Sequence, residues 1–419
     1  MEKIIKFGKT VRSNWKKSVV GAIALYYGAA TVKEKYEINL LMRAACKEAV
    51  LYGDSLIPME RNPTLVTVIL NPVANKRKAK SEFEKYCEPL LHLAGLQVDV
   101  IQTASEGNAK EIVETLKGTE AIIVAGGDGT LSETITGLLR RNDEANRFPL
   151  GILPLGATNS IGNLLFPGGK GVERVKQLIE ASMAIIKGNT VWKDAMKIEP
   201  IANEEETPSK PIYAMTSIEW GAFRDVNSKK DKYWIYGSLR EYAAYIFNGY
   251  KGSLTWNCSG MIKYTPPCAG CSNCLRKRPE VKRKWAFFVP NTPAVAEADP
   301  SSYQNPECTT AQELCFKTCD FRIKSSNIQN RPGIPALSIA IGKNAYTYTD
   351  FVSEGWNRVK HDNFVEATIN ARTVELLPKE SEKEVTLEID REEFEVKPVK
   401  ITLLPKVVKL FCRPQINTL

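Results

Sequence analysis

Ala121-Ile122-Ile123-Val124-Ala125-Gly126-Gly127-Asp128-Gly129-Thr130 is the stretch on which the fold turns. Five apolar residues read as a buried strand and three glycines surround one acid. Leu131, Ile135, Leu138 and Leu139 then recur at helical spacing. The order is strand, turn, helix. Glycine lets backbone N–H groups approach a ligand without interference from Cβ, and a helix N-terminus behind the turn adds partial positive charge, so the loop suits phosphate. Asp128 is the exception, because a carboxylate facing a polyphosphate is repelled. It fits a base for a substrate hydroxyl or a group that helps to hold a metal ion, with a local Asx turn as the structural alternative.

The pattern repeats on both sides. Leu65–Leu70 reads as a buried strand that ends in Asn71-Pro72-Val73-Ala74-Asn75-Lys76-Arg77-Lys78. A helix from Ala79 to Leu93, a strand from Gln97 to Gln102 and a helix from Ala109 to Leu116 follow. After the helix from Leu131 to Arg140, the strand Pro149–Leu153 opens into Pro154-Leu155-Gly156-Ala157-Thr158-Asn159-Ser160. Such alternation predicts a parallel sheet with helices on both faces and ligands at the carboxyl ends of the strands. Three polar loops at one edge describe a nucleotide cleft.

Beyond a helix from Val172 to Ile186 the character shifts. Thr190–Ile198, Ile212–Trp220, Leu337–Ile341, Phe364–Ile369, Val385–Ile389 and Val399–Leu404 read as mostly antiparallel strands. The expected fold class is α/β + β, an N-terminal parallel-sheet nucleotide-binding domain with a C-terminal antiparallel β-sandwich and a substrate groove between them. The expected boundaries are a lead over 1–60, the nucleotide domain over 61–190, and the sandwich over 191–405 with an insertion at about 250–330. A terminal strand over 406–419, near Val408 to Cys412, is expected to return to the first domain.

The 419 residues, 43% hydrophobic, suffice for sizeable cores, and a net charge of +9 suits anionic partners. Only His92 and His361 are present, which argues against a His-based metal centre or triad. From Met1 to Lys17, Lys3, Lys6, Lys9, Arg12, Lys16 and Lys17 stand against Glu2 alone, and Ile4, Phe7, Val11 and Trp15 recur at helical spacing. Ser18 to Val32 carries no charge and spans roughly 22 Å as a helix, short of the roughly 30 Å hydrocarbon core. Membrane association or a mitochondrial targeting lead is expected; a secretory signal and an ordinary amphipathic helix are the competing readings.

Asn71-Pro72, Gly126-Gly127-Asp128-Gly129-Thr130 and Gly156-Ala157-Thr158-Asn159 resemble the three nucleotide-site signatures of the diacylglycerol kinase and sphingosine kinase superfamily of lipid kinases. Within it the chain is most similar to the mitochondrial acylglycerol kinases, through the basic lead and the phrases Arg43-Ala44-Ala45-Cys46 and Ile122-Ile123-Val124-Ala125-Gly126-Gly127-Asp128. The resemblance implies Mg²⁺-dependent transfer of the ATP γ-phosphoryl group to a monoacylglycerol or diacylglycerol hydroxyl, giving lysophosphatidate or phosphatidate. It implies Asp128 as general base. It places Gly126, Gly127, Gly129, Thr130, Glu133, Asn71, Pro72, Lys76, Gly156, Thr158 and Asn159 around ATP, although Thr130 to Glu133 is also a capping box. Asp225 and Asn227 stand where the glycerol hydroxyl is recognised, and Arg240 where ATP phosphate is paired; an ordinary surface Asp and a helix-face Arg are the bland readings of these positions. Asp390 and Glu392 match an Asp-Gly-Glu that orients Mg²⁺ or nucleotide, or form a plain hairpin.

Three positions depart from the family pattern. Val73-Ala74-Asn75-Lys76 replaces x-Ser-Gly after Asn71-Pro72, Ser160 replaces the acid after Asn159, and Arg391 replaces the glycine between Asp390 and Glu392. The resemblance further implies the mitochondrial inner membrane or intermembrane space, a membrane partner, and a scaffold role with the inner-membrane carrier translocase as the alternative function. Sphingosine, ceramide or NAD kinase activity competes with these readings, and no nucleic-acid partner is expected.

Cys258, Cys268, Cys271 and Cys274 precede Arg276-Lys277-Arg278 and Lys282-Arg283-Lys284, and Cys308, Cys315 and Cys319 follow. Two CxxC pairs sharing Cys271 have metal-ligand spacing and suit structural Zn²⁺ with Cys258 or a later Cys; disulfides are the rival.

Overall fold

Alternation along the first strands decides the layering of the amino-terminal half. In the computed structural model of the chain the described residues are 15–54, 64–141, 148–201, 210–251, 258–268, 271, 308, 310–325, 334–361, 368–379 and 386–413. Strands β1 (Leu65–Leu70), β2 (Gln97–Gln102), β3 (Ala121–Gly126) and β4 (Leu150–Pro154) lie parallel in the order β2-β1-β3-β4. Val66, Val68, Leu70, Ile123 and Ala125 face Phe83, Cys87, Leu91, Leu178 and Ala181, while Ile69, Ile122 and Val124 face Ala109, Val113, Leu131 and Ile135. Both faces are thus covered by helices, which is why these strands are apolar throughout. The helical turns from Ala79 to Leu93 include a π segment, Phe83–Cys87.

A single helix α1 (Trp15–Gly53) opens the described part of the chain. Its carboxyl part docks through Ala45 and Ala49 onto Leu90 and Met183, while Val20, Leu25, Tyr26, Tyr27 and Val32 are exposed. Among the described residues no helix is long and apolar enough to cross a membrane.

The carboxyl half is a sandwich whose layers meet over Met196, Ile218, Trp220, Ile262, Phe321, Ile323, Leu376, Leu387 and Ile401. One layer is antiparallel, with β12 (Thr368–Ala371), β11 (Leu337–Ile341), β10 (Asp320–Ser325), β7 (Ser217–Gly221), β14 (Thr386–Ile389) and β15 (Glu392–Glu395) in that order. The other layer is continuous with the parallel sheet. Strand β16 (Val399–Phe411) pairs with β13 (Thr373–Pro378) and then reaches β4, where Leu410 lies opposite Leu150. Its long partner β5 (Thr190–Pro200) follows it across a bulge between Leu404 and Val408. Strands β8 (Cys258–Thr265) and β9 (Gln312–Thr318) extend this sheet to its far edge. The segment read as one strand from Ile212 to Trp220 is two, β6 (Ile212–Ala214) and β7, which belong to different sheets.

Helices α7 (Ala222–Ser228), α8 (Arg240–Lys251) and α9 (Tyr348–His361) meet around Phe223, Tyr245 and Phe351. The sequence reading gave this helical layer no place. The remaining helices, α2 (Glu88–Leu93), α3 (Asn108–Thr115), α4 (Asp128–Arg140), α5 (Ser160–Leu165) and α6 (Val172–Lys187), belong to the amino-terminal half.

Candidate active site

Two glycine loops press against one another at the carboxyl edge of the parallel sheet. The N–H groups of Leu155 and Gly156 donate to the Gly126 carbonyl at 3.0 and 2.8 Å, and the Asp128 N–H donates to the Thr158 carbonyl at 3.1 Å. A Cβ on Gly156 would lie 2.2 Å from the Gly127 Cα, so glycine here is a matter of close approach. Asn159 closes its own loop: its Oδ1 accepts from the Gly156 N–H at 3.0 Å and its Nδ2 donates to the Gly156 carbonyl at 2.8 Å. The first loop joins the others through Asn71, whose Nδ2 donates to Thr130 Oγ1 at 3.1 Å. All three loops therefore converge.

Past Asn71-Pro72, Asn75, Lys76 and Arg77 have φ of 49°, 55° and 66°. Three consecutive non-glycine residues in the left-handed region carry strain of the kind concentrated at ligand clamps. Where the family pattern supplies glycine, this chain keeps a left-handed turn and exposes Lys76 on it.

Asp128 opens α4 and is buried. Ser160, at the start of α5, donates its N–H to Asp128 Oδ1 at 2.6 Å and its hydroxyl to Oδ2 at 3.0 Å. Burial pushes the Asp128 carboxyl above the ordinary range, the Ser160 bonds and Arg391 pull it down, and Asp390 pushes it up. Ser160 thus orients Asp128. The sequence reading missed this role because it noted Ser160 only for the acid it replaces.

Glu133 does not complete the capping box, because α4 starts at Asp128 rather than after Thr130. Its two carboxylate oxygens accept from the N–H groups of Gly107 and Ala109 at 2.7 and 3.1 Å, satisfying donors at the start of α3.

The carboxyl half reaches this edge through the hairpin between β14 and β15. Asp390 and Arg391, at φ of 48° and 74°, form its two-residue turn despite the missing glycine. Asp390 is buried and accepts from the N–H groups of Met215, Thr216 and Ser217 at 2.6, 2.8 and 3.1 Å and from the Thr216 hydroxyl at 2.5 Å. It anchors the hairpin to the link between β6 and β7. Glu392 is the group delivered to the loop: its Oε1 lies 2.7 Å from where a Gly129 Cβ would stand. Burial, together with Glu133, Glu106 and Asp390, pushes the Glu392 carboxyl up to about 7. Crowded hard oxygens that resist ionising are a fitting set for a divalent cation such as Mg²⁺, which offsets their repulsion.

The remaining expected residues sit on the helical layer. Asp225 is half-buried on α7, its Oδ1 2.9 Å from Arg224 Nη1, and Asn227 lies on the same short helix. Arg224, which the sequence reading passed over, is buried and also meets Glu393 at 2.7 Å, Glu388 at 3.6 Å and the Thr386 hydroxyl at 2.8 Å. It couples α7 to the hairpin that carries Glu392. Glu219 and Arg322 pair at 3.3 Å on the same charged face; burial pushes Glu219 up, but Arg322, Arg391, Lys324 and the Ser217 hydroxyl together hold it below the ordinary range. The available signal was alternation: Ser217 and Glu219, Asp320 and Arg322, and Thr386 and Glu388 share one face of three paired strands. Arg240 pairs instead with Asp231 at 2.9 Å on an exposed surface, and no contact among the described residues joins it to the glycine loops.

The cysteine set is also redrawn. Cys268 and Cys271 gather with Cys308, while Cys258 starts β8 and packs in the sandwich core. Cys274 lies outside the described residues.

Residues 65–198 match the diacylglycerol kinase catalytic domain and residues 215–418 the acylglycerol kinase C-terminal region. The mitochondrial acylglycerol kinase of Homo sapiens is 36% identical over 98% of this chain and 97% of its own length, and that of Xenopus laevis 34% identical over 99% and 96%. The chain belongs to the acylglycerol kinase family. Structures of a diacylglycerol kinase from Bacillus anthracis str. Sterne share the fold at TM-scores of 0.52 and 0.50, with 16% and 15% identity over 84% of this chain and 98% of theirs. As an acylglycerol kinase family member, the chain is an ATP-dependent lipid kinase.

Proposed function

We propose that the protein transfers the ATP γ-phosphoryl group to a hydroxyl of monoacylglycerol or diacylglycerol at the mitochondrial inner membrane or intermembrane space. The observation that carries this reading is Glu392, brought by the carboxyl half against Gly129 beside Asp128. Gly126, Gly127, Gly129, Thr130, Asn71, Gly156, Thr158 and Asn159 cradle the phosphates, and Lys76 lends charge. The helical face around Asp225 and Arg224 receives the glycerol head. Glu392 and the neighbouring acids would hold Mg²⁺, which would supply charge neutralisation on the transferred group.

Ser160 fixes the Asp128 carboxylate so that it takes the proton of the attacking hydroxyl. The lipid oxygen bonds to the γ-phosphorus, the bond to the β,γ-bridging oxygen breaks, ADP leaves, and Asp128 keeps the proton until solvent removes it. A second reading makes Glu392 the base. It is favoured by a carboxyl poised near about 7, while both Asp128 oxygens already accept bonds from Ser160.

The test offers purified protein ATP, Mg²⁺ and separate acceptors: monoacylglycerol, diacylglycerol, sphingosine, ceramide and NAD. Transfer to the acylglycerols is expected, and transfer to none of the lipids would leave only the scaffold function in carrier import. In Asp128→Asn the amide oxygen still accepts the Ser160 N–H, so folding and ATP binding persist while turnover falls by about 10²- to 10⁴-fold. Full activity in that variant refutes Asp128 as the base.

A further inference from the structure

Backbone register at the far edge of the long sheet brings distant cysteines together. In the hairpin of β8 and β9, Cys258 lies opposite Thr318 and Tyr264 opposite Gln312. Cys268 stands four residues after the last pair on one side and Cys308 four residues before it on the other. Cys271 follows Cys268 at CxxC spacing. The Sγ atoms of Cys268, Cys271 and Cys308 all lie within 4.8 Å of one another. Cys271 is 0% exposed and Cys308 4% exposed, so the cluster is closed to solvent on two sides.

We propose that Cys268, Cys271 and Cys308 form a structural zinc site that pins the base of the insertion to the end of the hairpin. Thiolates at Zn–S distances of about 2.3 Å around a tetrahedral centre stand about 3.8 Å apart, a separation these sulfurs reach with small side-chain adjustments. Sulfur donors select zinc over Mg²⁺, which prefers oxygen. The site therefore does not compete with the catalytic edge for its ion. The geometry also explains what a metal would do here. Among the described residues β9 is the last strand of its sheet, its first four residues are exposed, and 39 residues of sequence separate Cys268 from Cys308. Fixing both ends of that segment removes loop entropy from the frayed state and holds the edge strand in register.

Cys258 cannot join the set. It lies at the opposite end of β8, roughly 23 Å from Thr265 at strand rise, and burial in the sandwich core pushes its thiol up, against the thiolate a metal needs.

The full-length protein, produced with zinc in the medium and purified without chelators or added metal, is analysed by plasma mass spectrometry. One zinc per chain is expected, released when a mercurial blocks the thiols. Cobalt exchanged into the wild-type protein should give the visible bands of a tetrahedral thiolate site. Cys271→Ser and Cys308→Ser should each lose at least tenfold in zinc affinity, while Cys315→Ser, at an exposed position on β9, should retain the metal. The wild-type measurements stand even if a variant fails to fold. Metal-free folded protein, a disulfide joining any two of the three cysteines in unreduced peptide maps, or full zinc retention in Cys308→Ser would each overturn the assignment.

Discussion

Replacing Gly156 by alanine tests whether the two glycine loops hold one another in place. The added Cβ would stand 2.2 Å from the Gly127 Cα, 2.7 Å from its N and 3.0 Å from the Thr158 carbonyl oxygen. Every one of these neighbours is backbone, so no side chain can swing aside. Ordinary carbon contacts begin at about 3.5 Å, so the loops must part by about 1.3 Å. That separation stretches the bonds of Leu155 and Gly156 to the Gly126 carbonyl and of Asp128 to the Thr158 carbonyl, now 3.0, 2.8 and 3.1 Å. At about 1 kcal/mol net for each, the folded state loses about 3 kcal/mol, and a displacement of this size costs about 10²-fold in turnover.

Gly129→Ala is the matched control. Its Cβ meets only the end of a flexible side chain, Glu392 Oε1 at 2.7 Å. The carboxylate can move away, so stability should change by less than about 0.5 kcal/mol while turnover drops with the displaced acid. Urea unfolding, calorimetric ATP binding and ADP release measure the three quantities. If Gly156→Ala unfolds at the wild-type midpoint and binds ATP normally, the close approach of the loops does not hold the site.

Three further perturbations probe the charges. Glu392 is held near about 7 against 4.5 for an ordinary glutamate, so the folded state keeps a proton that the unfolded state has released across that window, and stability falls as pH rises through it. Glu392→Gln should flatten that slope and gain about 2 kcal/mol above pH 7 after allowance for solvent screening, with turnover lost; an unchanged slope in urea titrations at several pH values refutes the crowding. Ser160→Ala removes the hydroxyl bond that favours ionised Asp128 and keeps the backbone N–H bond, so the acid limb of the pH–rate profile should move to higher pH; an unmoved limb assigns it to another group. Arg391→Gly relieves a φ of 74° at the expense of an ion pair with Glu388 at 3.8 Å, and should stabilise the protein by about 1 kcal/mol in urea; destabilisation would mean the ion pair outweighs the strain.

The amino-terminal half was readable because strands buried on both faces leave continuous apolar runs, as Leu65–Leu70 and Ala121–Gly126 do. The three loops followed, since glycine and asparagine after such a run mark a ligand edge. The carboxyl half hid more. β9 has few buried positions and stands across the insertion from its partner, so its sequence carries little periodic signal. β10, absent from the strands expected above, alternates Asp320, Arg322 and Lys324 with apolar residues as though that face met water, yet Asp320 and Arg322 are buried, in company with Arg358 and Glu219. Pattern tells which face a residue takes; it does not tell whether a later helix covers that face.

The same limit governs the site. Asp128, the glycines and Asn159 sit on local motifs and could be found one loop at a time. Arg224 could not, because its partners Thr386, Glu388 and Glu393 are distant in sequence and come together only when β14 joins β7. The hairpin ties the two readings together. Asp390 locks it to the link at Met215 to Ser217, Arg224 braces it from α7, and Glu392 at its tip meets Gly129. A shift of α7 on binding a lipid head would therefore act on the hairpin through Arg224, and through it on Glu392 at the nucleotide edge. With the sites placed as proposed, acceptor and nucleotide occupancy would be coupled through this path, so truncating Arg224 should weaken the dependence of ATP affinity on bound lipid while leaving the glycine loops intact.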